Sequence, residues 1–316
     1  VIAIEEIRAA RERITGAAVR TPLVRLEIAE SPAEIWCKLE TLQPINSFKI
    51  RGAANCVRAA DPELVSRGLV TASAGNMAQG VAWMARELGV PATIAVPDHA
   101  PAAKLDAIAR LGGRVLKVPY ADWWQAIVTS RVQGVEGCFV HPVCDRAVMA
   151  GNGTIGLELL EELGAVDAVV IPFGGGGLTV GIASALRELS PATRVYTVEP
   201  QTGAALVAAR AAGEPVEADY APSWVDGSGS RRVLDEMWPR VAPLIDDALI
   251  ATLEETAAAV RLLAQRLRVI AEGAGALALA AALAGRAGGG RIVAIVSGGN
   301  IDFSTFTNIL CGEAAT

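Results

Sequence analysis

A chain of 316 residues, 52% apolar and 20% charged, is large enough for two folded domains or one large α/β unit, and its composition excludes a disordered polymer. The net charge of −6 argues against nucleic acid as a partner, because phosphate binding favours a basic surface. Five scattered cysteines without C-x-x-C spacing exclude a disulfide frame or a zinc site of the usual spacing, and point to buried thiols in a reducing cytoplasm.

No segment reaches the roughly 20 apolar residues of a spanning helix. The nearest, residues 274–284, is alanine-rich, short and flanked by Gly273 and Gly285. Early charges at Glu5, Glu6, Arg8 and Arg11 leave no secretory signal visible, so a cytoplasmic protein without a membrane partner is expected. Only two histidines occur, His99 and His141, each beside a loop-type sequence. A histidine triad or multi-histidine metal centre would have to use them, and both are expected to be ordinary loop residues.

In chain order, apolar runs alternate with helical three-to-four spacing, which predicts an α/β protein with parallel sheets. Helices are expected over residues 80–87, 155–163 and 253–267, with starts at Asn152-Gly153-Thr154 and at Thr252. Buried strands are expected over residues 92–96, 166–172, 194–198 and 291–297. One strand–helix set runs from about Gly52 to Pro142 and a second from about Asp145 to Cys311. The implied organisation is a small domain, residues 52–142, inserted into a large cofactor-binding domain of residues 1–51 and 143–316, with the binding site in the cleft between them.

Four segments carry candidate chemistry. Ser47-Phe48-Lys49-Ile50-Arg51-Gly52 holds a lysine that, taken alone, reads equally as a surface residue at a helix start. Thr71-Ala72-Ser73-Ala74-Gly75-Asn76 precedes a helical run, and its small residues would let backbone N–H groups face an anion, or simply form a turn capped by Ser73 or Asn76. Gly174-Gly175-Gly176-Gly177-Leu178 sits between a strand and a helix. Four ordered glycines cost roughly 0.5–1 kcal/mol each, which close approach to a phosphate at a helix start would explain. Ser297-Gly298-Gly299-Asn300 ends an apolar strand, where ligands bind in open α/β sheets. A nicotinamide site fails here: Val180 stands where the third fingerprint glycine belongs, and Lys49 would be left idle.

In this order the four segments resemble the threonine dehydratase and serine racemase family of fold-type II pyridoxal-phosphate enzymes, over roughly Thr21 to Asn300. The resemblance implies two open, mostly parallel twisted sheets flanked by helices, a homodimer, and pyridoxal 5'-phosphate as cofactor. It assigns Lys49 as the lysine that carries the cofactor and as the catalytic base. It places Phe48 beside the ring, Asn76 at the pyridoxal 3-oxygen, Gly174, Gly175, Gly176, Gly177 and Leu178 around the phosphate, and Ser297 at the pyridine nitrogen. Ser73, Ala74, Gly75 and Asn76 would hold the carboxylate of a small amino-acid substrate. The implied reaction is elimination of water from threonine, serine or a related 3-hydroxy amino acid, giving a 2-oxo acid and ammonia. A racemase and a β-replacement synthase are the alternatives, and a non-catalytic binding protein is disfavoured by retention of Lys49, Asn76 and Ser297.

Departures from the family pattern sharpen this expectation. Racemases of the family carry a second serine where this chain has Ala74, so one-base chemistry and elimination are favoured. Met77 replaces a usual histidine, and Pro44-Ile45-Asn46 precede Ser47 where a threonine–glycine pair is common. Both changes bear on substrate choice. Glu199 matches the first ligand of a divalent-cation site found in several members, but Ala205 stands at the second, so no metal is expected and Glu199 would cap a strand end. Asp226-Gly227 resembles a loop near the cofactor, although Ser228-Gly229-Ser230 after it is unusual. Trp224 would narrow the pocket or cover a subunit contact, Glu272 lies in a family-like motif without an assigned role, and Trp123-Trp124 belong to core or interface. With the chain ending soon after Asn300, neither a carboxy-terminal regulatory domain nor isoleucine feedback is expected.

Overall fold

The structure is a computed structural model that describes residues 1–28, 31 and 33–312. Its strands are β1 (Leu23–Arg25), β2 (Glu34–Leu39), β3 (Leu69–Ala72), β4 (Ala92–Pro97), β5 (Arg114–Val118), β6 (Cys138–Phe139), β7 (Ala168–Pro172), β8 (Arg194–Pro200), β9 (Asp247–Ala251) and β10 (Arg291–Val296). They form a six-stranded sheet in the order β1-β2-β10-β7-β8-β9 and a four-stranded sheet in the order β5-β4-β3-β6. Among the described residues only the β1–β2 strand pair is antiparallel. The expectation of two mostly parallel sheets is met.

Parallel strands joined by helical crossovers are covered on both faces, so they carry apolar side chains on both. In β10, Val293 and Ile295 enter one core, and Ile292, Ala294 and Val296 enter another. Helices Ile4–Ile14, Arg146–Leu163 and Gly177–Leu189 supply the first core, and helices Leu253–Leu262 and Gly273–Leu283 the second. The small sheet repeats the pattern, with Leu69, Ile94 and Val96 under helices Lys49–Ala59 and Asn76–Leu88, and Val70, Ala72 and Ala95 on the opposite face. Among the described residues no helix is long and apolar enough to cross a membrane. The alanine-rich segment is instead a core helix, with Ala276, Leu277 and Ala278 fully buried.

Two expected helix limits are corrected. Asn152-Gly153-Thr154 do not start a helix; they lie inside Arg146–Leu163, whose start is capped by Asp145 accepting from Val148 N–H at 3.0 Å. The small size of Gly153 serves packing, since a Cβ there would meet the Gly181 carbonyl of the neighbouring helix at 2.9 Å. The segment expected as one helix over residues 253–267 is α-helical only to Leu262 and ends in a π-helical turn, Leu263–Leu267. Thr252 is the cap expected of it, accepting from Glu255 N–H at 3.1 Å.

Candidate active site

The carboxyl ends of β3, β7 and β10 converge on one cleft of about 320 Å³. Lys49 opens helix Lys49–Ala59, and the segment before it is pinned to the end of β10. Phe48 N–H donates to the Ser297 carbonyl at 3.0 Å, and Ser47 bridges Gly298. Ser73, Ala74 and Gly75 follow β3 and lead into helix Asn76–Leu88. Gly174 to Gly176 follow β7 and lead into helix Gly177–Leu189. Phe48, Lys49, Ser73 to Asn76, Gly174 to Leu178 and Ser297, all singled out from the sequence, line this single cleft. Neither Ser73 nor Asn76 caps the helix that follows; the capping position is Gly75, and the Ser73 hydroxyl accepts from Gly75 N–H at 3.2 Å.

The glycine loop is a cradle that side chains would fill. A Cβ on Gly175 would lie 2.4 Å from Val143 Cγ2, and Gly176 adopts a left-handed φ of +93°. Bare backbone at a helix start presents N–H groups and the positive end of the helix dipole, which suits a phosphate dianion. The other end of the cleft offers an amine, an amide and a hydroxyl. Pyridoxal phosphate needs a phosphate cradle, a reactive lysine and polar partners for its ring, and the residues present fit it. Gly175→Ala is expected to lower pyridoxal-phosphate affinity by roughly tenfold, the equivalent of an overpacking penalty of about 1.4 kcal/mol. Titration of the cofactor-depleted protein measures this, and an unchanged affinity would contradict the cradle.

Burial lowers the Lys49 pKa to about 8, a shift opposed by the nearby Glu272 carboxylate. Its Nζ donates to the Pro142 carbonyl at 2.8 Å. A lysine so desolvated is largely a free amine at mildly alkaline pH, the form that reacts with carbonyls. Asn76 is oriented from both sides: its Oδ1 accepts from Asn300 Nδ2 at 2.7 Å and its Nδ2 donates to Glu272 Oε1 at 2.7 Å. Burial first, then Asp226, raises the Glu272 pKa to about 8. Glu272, whose role the sequence left open, is therefore a cleft residue holding the Asn76 amide.

Behind the cleft, Arg51 reaches away from Lys49 into the protein and meets Glu40 and Glu158. Glu199 does not cap the end of its strand. Its carboxylate is buried and accepts from Leu206 and Val207 N–H at 3.0 and 3.1 Å, capping helix Ala205–Ala212; burial raises its pKa to about 7. Among the described residues one trio could ligate a metal, His141, Cys144 and Glu236. Both His141 ring nitrogens already have backbone partners, so that trio is a poor site.

Sequence reasoning missed several lining residues. Trp123, assigned to core or interface, lines the cleft, and its buried Nε1–H has no protein partner. Lys104 reaches the cleft from the small sheet's side and pairs with Asp226 of the adjoining hollow. Pro142 and Val143 form a wall. Trp224 lines an adjoining hollow rather than the cleft. His99 is exposed beside Asp98, as a loop residue should be, whereas His141 is buried and fully hydrogen-bonded. The only available signal for these residues was their closeness to punctuating prolines and glycines, which does not give direction.

Fold and site together define an α/β enzyme of the fold-II pyridoxal-phosphate class. Residues 14–298 match the family model for the pyridoxal-phosphate dependent enzymes, and the chain belongs to that family. It is 37% identical over 315 residues to an L-threonine ammonia-lyase of Thermotoga maritima, covering 98% of this chain and 78% of that protein. The structure is similar to that of maize serine racemase, with a TM-score of 0.88 and 32% identity, covering 98% of this chain and 97% of that one. It is equally similar to processed threonine deaminase isoform 2 from Solanum lycopersicum, with a TM-score of 0.88 and 31% identity, covering 98% and 88%.

Proposed function

We propose that this enzyme is an ammonia-lyase that removes water from a β-hydroxy-α-amino acid, threonine, serine or a close relative, to yield a 2-oxo acid and ammonia. One observation carries the choice of elimination: the substrate loop presents the methyl of Ala74 to the cleft, and among the described residues the cleft amine without a salt-bridge partner is Lys49, since Lys104 is tied to Asp226. Racemisation needs a proton donor on each face, whereas elimination needs one base.

Bound pyridoxal phosphate supplies the electron sink for loss of the α-proton. Lys49 carries the cofactor at rest and, once its amine is free, takes the α-proton on Nζ. Phe48 would pack beside the ring, Asn76 would donate to the ring 3-oxygen, and Gly174 to Leu178 would hold the phosphate. Ser297 faces the pyridine nitrogen with a neutral hydroxyl, which does not hold a pyridinium as a carboxylate would. Less charge would then be drawn into the ring, favouring loss of the β-hydroxyl, which with the α-proton makes up the water eliminated, over transamination. Ser73 to Asn76 hold the substrate carboxylate through backbone N–H groups and the Ser73 hydroxyl. The released enamine hydrolyses to the oxo acid and ammonia.

Residues 52–142 act as the small domain against a large domain of residues 1–51 and 143–316, and the enzyme works as a cytoplasmic homodimer. The deciding experiment incubates the protein with L-threonine and with L-serine. Ammonia and the matching oxo acid in equal amounts are expected. The D-amino acid without ammonia would make it a racemase, and a cysteine-like product with added thiol would make it a β-replacement synthase.

A further inference from the structure

We infer that His141 is a positioning residue for Lys49: its unprotonated Nδ1 gathers two backbone amides of the turn 141–144 and so fixes the Pro142 carbonyl that receives the Lys49 amine. The inference rests on the role proposed for Lys49.

Val143 N–H and Cys144 N–H both donate to His141 Nδ1, at 2.9 and 2.8 Å. A nitrogen that accepts two N–H groups cannot itself carry a proton. The ring proton therefore sits on Nε2, 3.2 Å from the Ile127 carbonyl. With the ring 6% exposed, no water replaces these partners freely. The turn so formed has two working surfaces. Pro142 offers its carbonyl to Lys49 Nζ at 2.8 Å, and that is the one hydrogen bond of this amine among the described residues. Val143 lies against Gly175 of the phosphate cradle. Beyond the turn, Arg240 Nη1 holds the Cys144 carbonyl at 3.0 Å.

The charged and titratable groups facing the ring are Glu236, Asp145, Lys49 and the Cys144 thiol. Burial lowers the His141 pKa, the two carboxylates oppose that, and the Lys49 ammonium adds to it; the outcome is a lowered value. The ring is thus neutral at pH 7. Protonation would aim an N–H at two N–H groups and open the turn.

Two replacements separate positioning from mere bulk. Asparagine places an acceptor oxygen where Nδ1 stands and cannot reach Ile127. Glutamine reaches Ile127 with its amide and leaves both turn amides unpaired. His141→Asn is expected to keep kcat within about threefold, and His141→Gln to lower kcat about tenfold or more at nearly constant KM, because loss of alignment acts on the chemical step. Glutamine matching or outperforming asparagine would overturn the inference. Nitrogen NMR of histidine-labelled holoenzyme decides independently of substrate. In a His99→Gln background one imidazole remains, and a neutral Nε2–H tautomer at pH 7 is expected. An Nδ1–H tautomer or an imidazolium would overturn the positioning role even if both variants failed to fold. Failure of the lyase proposal shows differently, as absence of ammonia from the unaltered enzyme.

Discussion

Replacing Lys49 with alanine is expected to lower ammonia release about 10³-fold or more while leaving the protein folded, as read by coupled assay and by circular dichroism. The size of the effect follows from two losses at one atom. The amine proposed to carry the cofactor is gone, and so is the base proposed for the α-proton. Lys104 is a poor stand-in, because its ammonium is paired with Asp226. The fold survives because Lys49 contributes a single hydrogen bond, to the Pro142 carbonyl, and lines a cleft rather than a packed core. A variant retaining more than a tenth of the activity would show that another group takes the proton.

Arg51→Met, two residues further on, is expected to destabilise the protein by about 3–5 kcal/mol, read as a lowered urea midpoint. The Arg51 guanidinium is fully buried and bonds both Glu40 oxygens at 2.8 Å and the two Glu158 oxygens at 2.6 and 2.9 Å. Lys38 completes the set, 2.6 Å from Glu158. Two cations balance two carboxylates in a buried site, and methionine leaves one lysine against both. Burial by itself would raise the Glu40 pKa; the Arg51 guanidinium outweighs this and holds it below the ordinary value of 4.5. A depressed folded pKa stabilises above the unfolded value and is lost as pH falls through the folded one. The variant lacks that contribution. Its deficit should therefore be largest near neutral pH and shrink in acid, where Glu40 takes a proton in the variant. A constant deficit across that range would contradict the ion-pair account and leave lost packing as the cause.

The pair Lys49 and Arg51 shows what a sequence discloses. Ser47 to Gly52 were legible as chemistry because small residues and a lysine stood in order with three other strand-end loops. Nothing local showed that Lys49 faces a cleft and Arg51 a core, since that direction is set by helix packing against residues 146–163. The glycine loop was legible for a different reason: four ordered glycines demand a cause, and the structure supplies one in their close approach to Val143. Glu272, Lys104 and His141 stayed obscure because each acts through a partner distant in the chain, Asn76, Asp226 and, through Pro142, Lys49. The supposed helix start at Asn152 failed because cap-type residues are also small residues. A helix interior pressed against two neighbours selects them for size.

The most direct test of the central claim is the absorption spectrum of the purified protein before and after borohydride reduction, with the reduced protein mapped by mass spectrometry. The expected result is a violet-region band that disappears on reduction and leaves the cofactor's mass on Lys49. A protein that shows no such band even after incubation with pyridoxal phosphate, or one whose adduct lies on Lys38 or Lys104 instead, would contradict the assignment of Lys49 on which the proposed chemistry depends.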